Sequence, residues 1–455
     1  MREGTRRKRK VRKGFSISRV MALSFLGIIL LGGALLCLPA ASRNGRPAGA
    51  MVSFFTAVSA TCVTGLVLTD TWTQWSGFGQ LVILLMIQVG GLGFMSAASL
   101  AYFSLRRKVS IRQQMVMAES VGAQGVGGMV DRQKRLLVRA FTVEGIGAAL
   151  LTLCFLREYP LPMAVQLGVF HAVSAFCNAG FDILGFRKPG ASLEVYRGDP
   201  LVCLILAALV ILGGLGFLVW DEVLRERRPG RWSVYTRLVL MTSGALLLGG
   251  MGAFCLLEWN NPGTLGPLSW PEKLLAAFFQ SVTLRTAGFA ALDQGLLTPA
   301  GKAASIFLML IGGSSGSTAG GLKTVTFVVL MMFLWNRMRG HRQVSVFHRT
   351  VSDDHVLNAI VIFTLMILLA FFSATVVCAT SPLDFTDALY ETVSAIGTVG
   401  LSAGGTARIS GGGKLLIMLL MYFGRVGVLT VSVGFLREKP AGEEYRYAYT
   451  DLLIG

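Results

Sequence analysis

The stretch Thr392-Val393-Ser394-Ala395-Ile396-Gly397-Thr398-Val399-Gly400-Leu401-Ser402 decides how this chain is read. It joins an apolar segment of about two helical turns to a run, Gly397-Thr398-Val399-Gly400, that has almost no side chain. Inside a membrane such a run bares its backbone carbonyls, and a ring of carbonyls can replace the water shell of an alkali cation. Three related stretches precede it: A-V-S-A-T-C-V-T-G-L at 57–66, A-V-S-A-F-C-N-A-G-F at 172–181 and Q-S-V-T-L-R-T-A-G-F at 280–289. Four copies can close a ring.

The anchoring glycines Gly65, Gly180, Gly288 and Gly400 recur roughly every 110 residues, a spacing suited to a unit of several membrane segments rather than to a solenoid repeat. A second landmark follows each. Gly90-Gly91-Leu92-Gly93, Gly213-Gly214-Leu215-Gly216, Gly312-Gly313-Ser314-Ser315-Gly316 and Gly424-Arg425-Val426-Gly427 stand in the same order behind the four copies. One such spot alone would mean only that small residues let membrane helices pack closely. Two landmarks in one order, four times, point to a repeated unit.

The composition sets the class. In 455 residues, 53% are hydrophobic and 15% charged, and the mean hydropathy is +0.63, which describes a polytopic membrane protein. The net charge of +18 does not point to nucleic acid, because the basic residues sit between apolar spans, where they set orientation. Cys37, Cys62, Cys154, Cys177, Cys203, Cys255 and Cys378 are scattered without a C-x-x-C pair, so neither a disulfide framework nor a zinc site is expected. His171, His341, His348 and His355 show no metal-ligand spacing either.

Each unit reads as a membrane helix, a short pore segment, the glycine-bearing run and a second membrane helix. The first uses 20–39, 51–60, 61–66 and 78–103; the second 136–155, 163–175, 176–181 and 201–220. The third uses 235–257, 271–282, 283–289 and a long segment at 303–335; the fourth 356–380, 385–395, 396–401 and 415–435. The corresponding units are 20–105, 136–222, 234–336 and 355–437, between a basic tail at 1–19 and a second tail at 438–455. A basic stretch before an apolar one also suits a signal peptide, but the length of 20–39 and the repeat favour a retained first helix. The strongest basic clusters, such as Arg106, Arg107, Lys108 and Arg112, follow the second helices. Both termini are therefore expected in the cytoplasm, the basic tail beside anionic headgroups, with the pore segments on the outer side. Those segments are too short for a bilayer that needs about 20 residues, so each dips in and returns.

This pattern resembles the Trk/Ktr/HKT superfamily of potassium transporters over residues 20–455, and its short N-terminus looks like the bacterial KtrB membrane subunit rather than the longer TrkH type. The resemblance rests on V-T-G-L, C-N-A-G-F, R-T-A-G-F and G-T-V-G-L, on the block G-G-S-S-G-S-T-A-G-G-L-K at 312–323, and on Arg425. It implies a potassium filter at Val63, Thr64, Gly65, Asn178, Ala179, Gly180, Thr286, Ala287, Gly288, Thr398, Val399 and Gly400. In the superfamily a serine at the first glycine goes with sodium transport, so Gly65 favours potassium. It further implies a homodimer on a cytosolic ring of KtrA-type regulatory subunits that bind nucleotide, ATP/ADP or NAD(H), while this chain binds none itself.

Read as residues, Thr64, Asn178, Thr286 and Thr398 are small polar neighbours that serve as braces or as ion ligands. A cation in a filter would repel potassium, so Arg285 is expected to point behind it and pair with an acidic group. Cys62 and Cys177 read as small packing residues, and His171 as a hydrogen-bonded core residue. Glu391, Asp70, Asp182 and Asp293 lie in or beyond the pore segments, as cation-concentrating acids or as ordinary loop acids. The block Gly312, Gly313, Ser314, Ser315, Gly316, Ser317, Thr318, Ala319, Gly320, Gly321, Leu322 and Lys323 interrupts a segment longer than a bilayer needs. Leu322 breaks the spacing of a phosphate-binding loop, and the Gly213–Gly216 run lies inside an apolar span unsuited to a dinucleotide fold. Arg425 stands about 24 residues past its filter glycine, as the block does past Gly288, so repeat symmetry puts both at one depth, where they can form a gate.

The expected fold is an all-α integral membrane protein, with four helix–pore-loop–helix units in pseudo-fourfold arrangement around one pore. The expected function is potassium uptake across the bacterial cytoplasmic membrane without enzyme activity. Sodium coupling is left open by the residues. So is a secondary transporter for another cation, which inverted repeats would favour; these four units share one orientation.

Overall fold

A computed structural model describes residues 17–93, 129–341, 343–347 and 349–427. Most of the basic tail, the end of the first unit's second helix, the Arg106–Arg112 cluster, Arg342, His348, the stretch to 437 and the C-terminal tail lie outside the described residues. The described part is helical: α1 (Ile17–Leu36), α2 (Ala50–Thr61), α3 (Thr71–Gln74), α4 (Gly77–Leu92), α5 (Met129–Phe155), α6 (Leu161–Phe176), α7 (Pro200–Leu215), α8 (Phe217–Arg225), α9 (Val234–Glu258), α10 (Trp270–Thr283), α11 (Pro299–Leu310), α12 (Thr324–Met338), α13 (Asp353–Thr380), α14 (Phe385–Gly397) and α15 (Gly411–Val426). Apart from these there are short 3-10 turns and one hairpin, β1 (Ser345–Val346) with β2 (Arg349–Thr350), antiparallel, in the basic loop after α12.

Helices α1, α5, α9 and α13 each contain a stretch long and apolar enough to cross a membrane. Each is followed by a helix of intermediate length, α2, α6, α10 or α14, whose C-terminal half is buried. The third helix of each set begins with a capping side chain. Ser76, Asp199, Thr298 and Ser410 accept from backbone N–H groups in the first turns of α4, α7, α11 and α15, satisfying donors that a helix start leaves unpaired. In α10 a capping box closes between Ser269 and Glu272.

These third helices stop short. After Leu92, Leu215 and Val426 the chain takes positive φ at Gly93 (83°), Gly216 (87°) and Gly427 (95°), and in the third set α11 gives way at Ile311 to an irregular segment ahead of α12. The single span expected at 201–220 is therefore two helices, α7 and α8, bent by 95° about Gly216. The reason is local: the last glycine of G-G-L-G takes a positive-φ conformation that glycine alone adopts without steric cost, and the helix ends there. The earlier glycines of the motif serve close packing, as small residues do between membrane helices. A methyl group on Gly90, Gly213 or Gly424 would overlap the carbonyl oxygen of Thr61, Phe176 or Ile396, at the ends of the buried short helices.

Candidate ion-conduction site

The four short helices end in turns of one design. Two residues before each anchoring glycine, Val63, Asn178, Thr286 and Thr398 adopt left-handed φ of 55°, 57°, 67° and 52°, and the glycines follow at 97°, 69°, 81° and 94°. A non-glycine residue there costs about 1 to 3 kcal/mol and persists only where its surroundings impose it. Finding it four times at one offset marks a constrained backbone.

The four glycines meet, and they meet in cyclic order. A methyl group on Gly65 would lie 2.5 Å from the Ala179 carbonyl oxygen, on Gly180 2.8 Å from that of Ala287, and on Gly288 2.6 Å from that of Val399. On Gly400 it would overlap the Thr64 oxygen, which returns the cycle to the first turn. Thr64, Ala179, Ala287 and Val399 thus each bring a carbonyl to one small region.

Of the four small polar residues read as braces or ion ligands, Asn178 is engaged with the Arg285 carbonyl at 3.5 Å and with Thr318 Oγ1 at 3.4 Å. The hydroxyls of Thr64, Thr286 and Thr398 are buried and lack a hydrogen-bond partner. A second set of braces was absent from the expectation. Ser59 accepts from Gly65 N–H at 3.0 Å and Ser394 from Gly400 N–H at 3.1 Å. Ser174 donates to the Phe181 carbonyl and Thr283 to that of Phe289, both at 2.7 Å. The signal was present in the sequence, since the serine of V-S-A stands six residues before its glycine in three copies. Cys62, Cys177 and His171 are buried as expected, His171 with Nδ1 2.7 Å from the Leu167 carbonyl oxygen.

On one side the cluster opens into a cavity of about 270 Å³ lined by all four glycines, Asp70, Asp182, Thr69 and Ser402. Asp70 caps α3 through Thr73 N–H and accepts from Gly190 N–H at 3.1 Å. The other two acids are placed differently. Asp293 is exposed and caps a turn through Gly295 N–H. Glu391 is fully buried and accepts from Ser402 Oγ (2.6 Å), Ala403 N–H and Gly405 N–H (3.1 Å each) and Thr406 Oγ1 (2.5 Å). It clamps the loop after the fourth turn and is neither a solvated loop acid nor a collector of cations.

On the opposite side the segment 311–323 crosses beneath the turns. Its ends are tied by Gly312 N–H to the Leu322 carbonyl (2.8 Å) and Thr324 N–H to that of Gly313 (3.0 Å). Toward the second set, Ser314 N–H donates to Gly214 (3.0 Å), Phe217 N–H to Gly316 (3.0 Å), and Thr318 Oγ1 to Phe176 (3.1 Å). Toward the fourth, Gly320 lies against Thr398 and Gly321 against Gly397. Ser315 receives the Tyr235 hydroxyl at 2.9 Å, Ser317 Oγ donates to Ser314, and Lys323 Nζ donates to Ala319 at 2.7 Å. Arg425 reaches across, giving Nη1 to the Thr318 carbonyl and Nη2 to those of Gly90 and Gly91, the last at 3.0 Å. Arg425, Lys323 and Gly321 border a second cavity of about 230 Å³. Arg285 does sit behind the turns, but the expected acidic partner is absent among the described residues. Its Nη2 donates to the Gly312 carbonyl and Thr324 Oγ1, both at 3.3 Å, so the two ends of the segment between α11 and α12 supply the acceptors.

Apolar spanning helices around a buried meeting point of four kinked turns define a multi-span membrane protein. The family model TrkH, described as a cation transport protein, matches residues 33–447. The chain belongs to that family. Among curated proteins it is 36% identical to the potassium/sodium uptake protein NtpJ of Enterococcus hirae, over 98% of this chain and 99% of that one. It is also 36% identical to the Ktr system potassium uptake protein B of Bacillus subtilis, over 95% of each. Among solved structures, the potassium transporter TrkH of Vibrio parahaemolyticus superposes with a TM-score of 0.73 at 16% identity, over 94% of this chain and 86% of that one. At that identity the likeness bears on fold alone.

Proposed function

We propose that this chain is the ion-translocating subunit of a Ktr/Trk-type system that takes potassium up across the bacterial cytoplasmic membrane. Four helix–pore-loop–helix units surround one pore. Its filter is formed by residues 63–65, 178–180, 286–288 and 398–400, whose carbonyls replace the hydration shell of the ion. The observation that carries the reading is the cyclic contact of each glycine with the next turn's carbonyl, Gly65 to Ala179 through Gly400 to Thr64. The names of the relatives, potassium/sodium uptake protein and potassium uptake protein B, agree with it. Glycine at all four positions favours potassium over sodium. The segment 312–323 with Arg425 is the gate, since a flexible loop carrying a guanidinium beneath the filter presents a steric and positive barrier. Both termini are cytoplasmic, and a homodimer docks through its basic loops, 337–349 among them, on a cytosolic nucleotide-binding regulatory ring.

The test is complementation. A potassium-uptake-deficient bacterium carrying this chain should grow on low potassium, better with a KtrA-type partner than without. Membrane-inserted protein with no rescue in either case would defeat the proposal.

A further inference from the structure

The bend at Gly216 has two sides. Its inner side faces the candidate gate: Ser314 N–H and Oγ bond the Gly214 and Leu215 carbonyls, and Phe217 N–H bonds Gly316. Its outer side is a cavity of about 530 Å³ between α5, α7, α8 and α9, bordered by Arg139, Leu212, Leu215, Val219, Trp220 and Trp232. That volume falls in the range of small-molecule sites, about 300–1,000 Å³, and its wall is almost wholly apolar.

The rim supplies the other half of a ligand. Arg139 is held by Asp221 at 2.9 Å. The nearby acids are engaged as well, Glu222 by the Ser233 and Thr236 hydroxyls and Glu226 by Arg228 N–H and, at 4.0 Å, Arg231. Exposed Arg225 ends α8 and exposed Arg227 and Arg228 follow it, with no carboxylate within 4 Å among the described residues. Trp220 and Trp232 each present a ring to the cavity while their indole N–H groups bond the Leu212 and Glu226 carbonyls, as aromatic residues do at a membrane surface.

We propose that this elbow is a binding site for an anionic phospholipid of the cytoplasmic leaflet, an acyl chain in the cavity and the headgroup on the arginines after α8. Resting on the reading of 312–323 as the gate, the inference adds that an occupied elbow stabilises the bend and holds the loop in its closed arrangement. Apolar burial supplies affinity, and the basic residues are drawn to an anionic surface.

The test uses the full chain in vesicles of phosphatidylglycerol or phosphatidylcholine with brominated acyl chains, reading tryptophan fluorescence, with Trp220→Phe and Trp232→Phe isolating their share. Brominated phosphatidylglycerol should quench that share at least twofold more than brominated phosphatidylcholine. Val223→Phe, which sets a bulky ring on the cavity wall, and Arg227→Gln with Arg228→Gln, which leaves packing untouched, should each abolish the difference. The double arginine variant should also raise potassium uptake without the regulatory partner at least twofold. Equal quenching by both lipids, or a preference that survives both variants, would overturn the site. Selective quenching with unchanged uptake would overturn the coupling to the gate. Quenching needs no transport, so vesicles that carry no potassium would count against the transport reading and not against the lipid site.

Discussion

At Gly65 a side chain would have to tolerate a φ of 97° and approach the Ala179 oxygen to within 2.5 Å. Gly65→Ser should therefore displace one carbonyl of the ring and lower potassium-over-sodium discrimination by about tenfold, on the order of 1.4 kcal/mol. Competitive ion flux in vesicles measures this; an unchanged preference would remove residues 63–65 from the filter. Asp182 makes a second residue-scale prediction. It lies half-buried in the loop between α6 and α7, lining the vestibule, where burial and then the neighbouring Asp70 push its carboxyl up to about 6. Below that pH it is neutral and the cavity beside the four glycines has one negative charge fewer with which to attract cations. Uptake from low potassium should fall by about 2- to 10-fold as external pH drops from 7.5 to 5, and Asp182→Asn should flatten the profile. An identical profile in the variant would relieve Asp182 of that role. Stability runs the other way. With its pKa raised by folding, the carboxyl favours the folded state at low pH, and that contribution is lost as pH rises through 6.

Among elements, the segment 311–323 is fastened on three sides, to α7 and α8, to the fourth turn and to Arg425. Arg425→Ala removes three carbonyl contacts, and trimming residues 314–319 removes the crossing itself. Either change should raise potassium flux several-fold and weaken dependence on the regulatory partner. Well-folded variants with wild-type or lower flux and intact regulation would exclude a gating role. The sequence made this pairing legible because nearly equal distances past Gly288 and Gly400 placed the loop and Arg425 at one depth. It also indicated the four short helices, since a run near a dozen residues cannot span a bilayer. The break at Gly216 was hidden by the unbroken apolarity of 201–220, which hydropathy reads as a span whatever its backbone does. The brace at Ser59 and Ser394 was hidden for a related reason. A serine in an apolar helix becomes meaningful only once the turn brings Gly65 N–H or Gly400 N–H back to it. Glu391 misled in the opposite direction, because its clamp is built from donors 11 to 15 residues further along.

For the whole molecule, the charge pattern predicts sidedness. A tag on either terminus should be reachable only from the cytoplasm, and Lys188→Cys, in an exposed stretch of the loop between α6 and α7, should be labelled from outside. An externally reachable N-terminus would overturn the arrangement of units. The cyclic order of the four turns also sets a timetable for biosynthesis. Gly65 emerges early, yet the oxygen of Thr64 faces Gly400, and the bond from Arg425 to Gly90 closes over 335 residues. At translation rates of about 5 to 20 residues per second, the first quarter of the ring waits roughly 15 to 70 s in the membrane for the last. A nascent chain released before Gly400 would keep its spanning helices and lack the neighbour that completes the ring, which makes the fourth turn the point at which a quality-control protease could tell finished from unfinished copies.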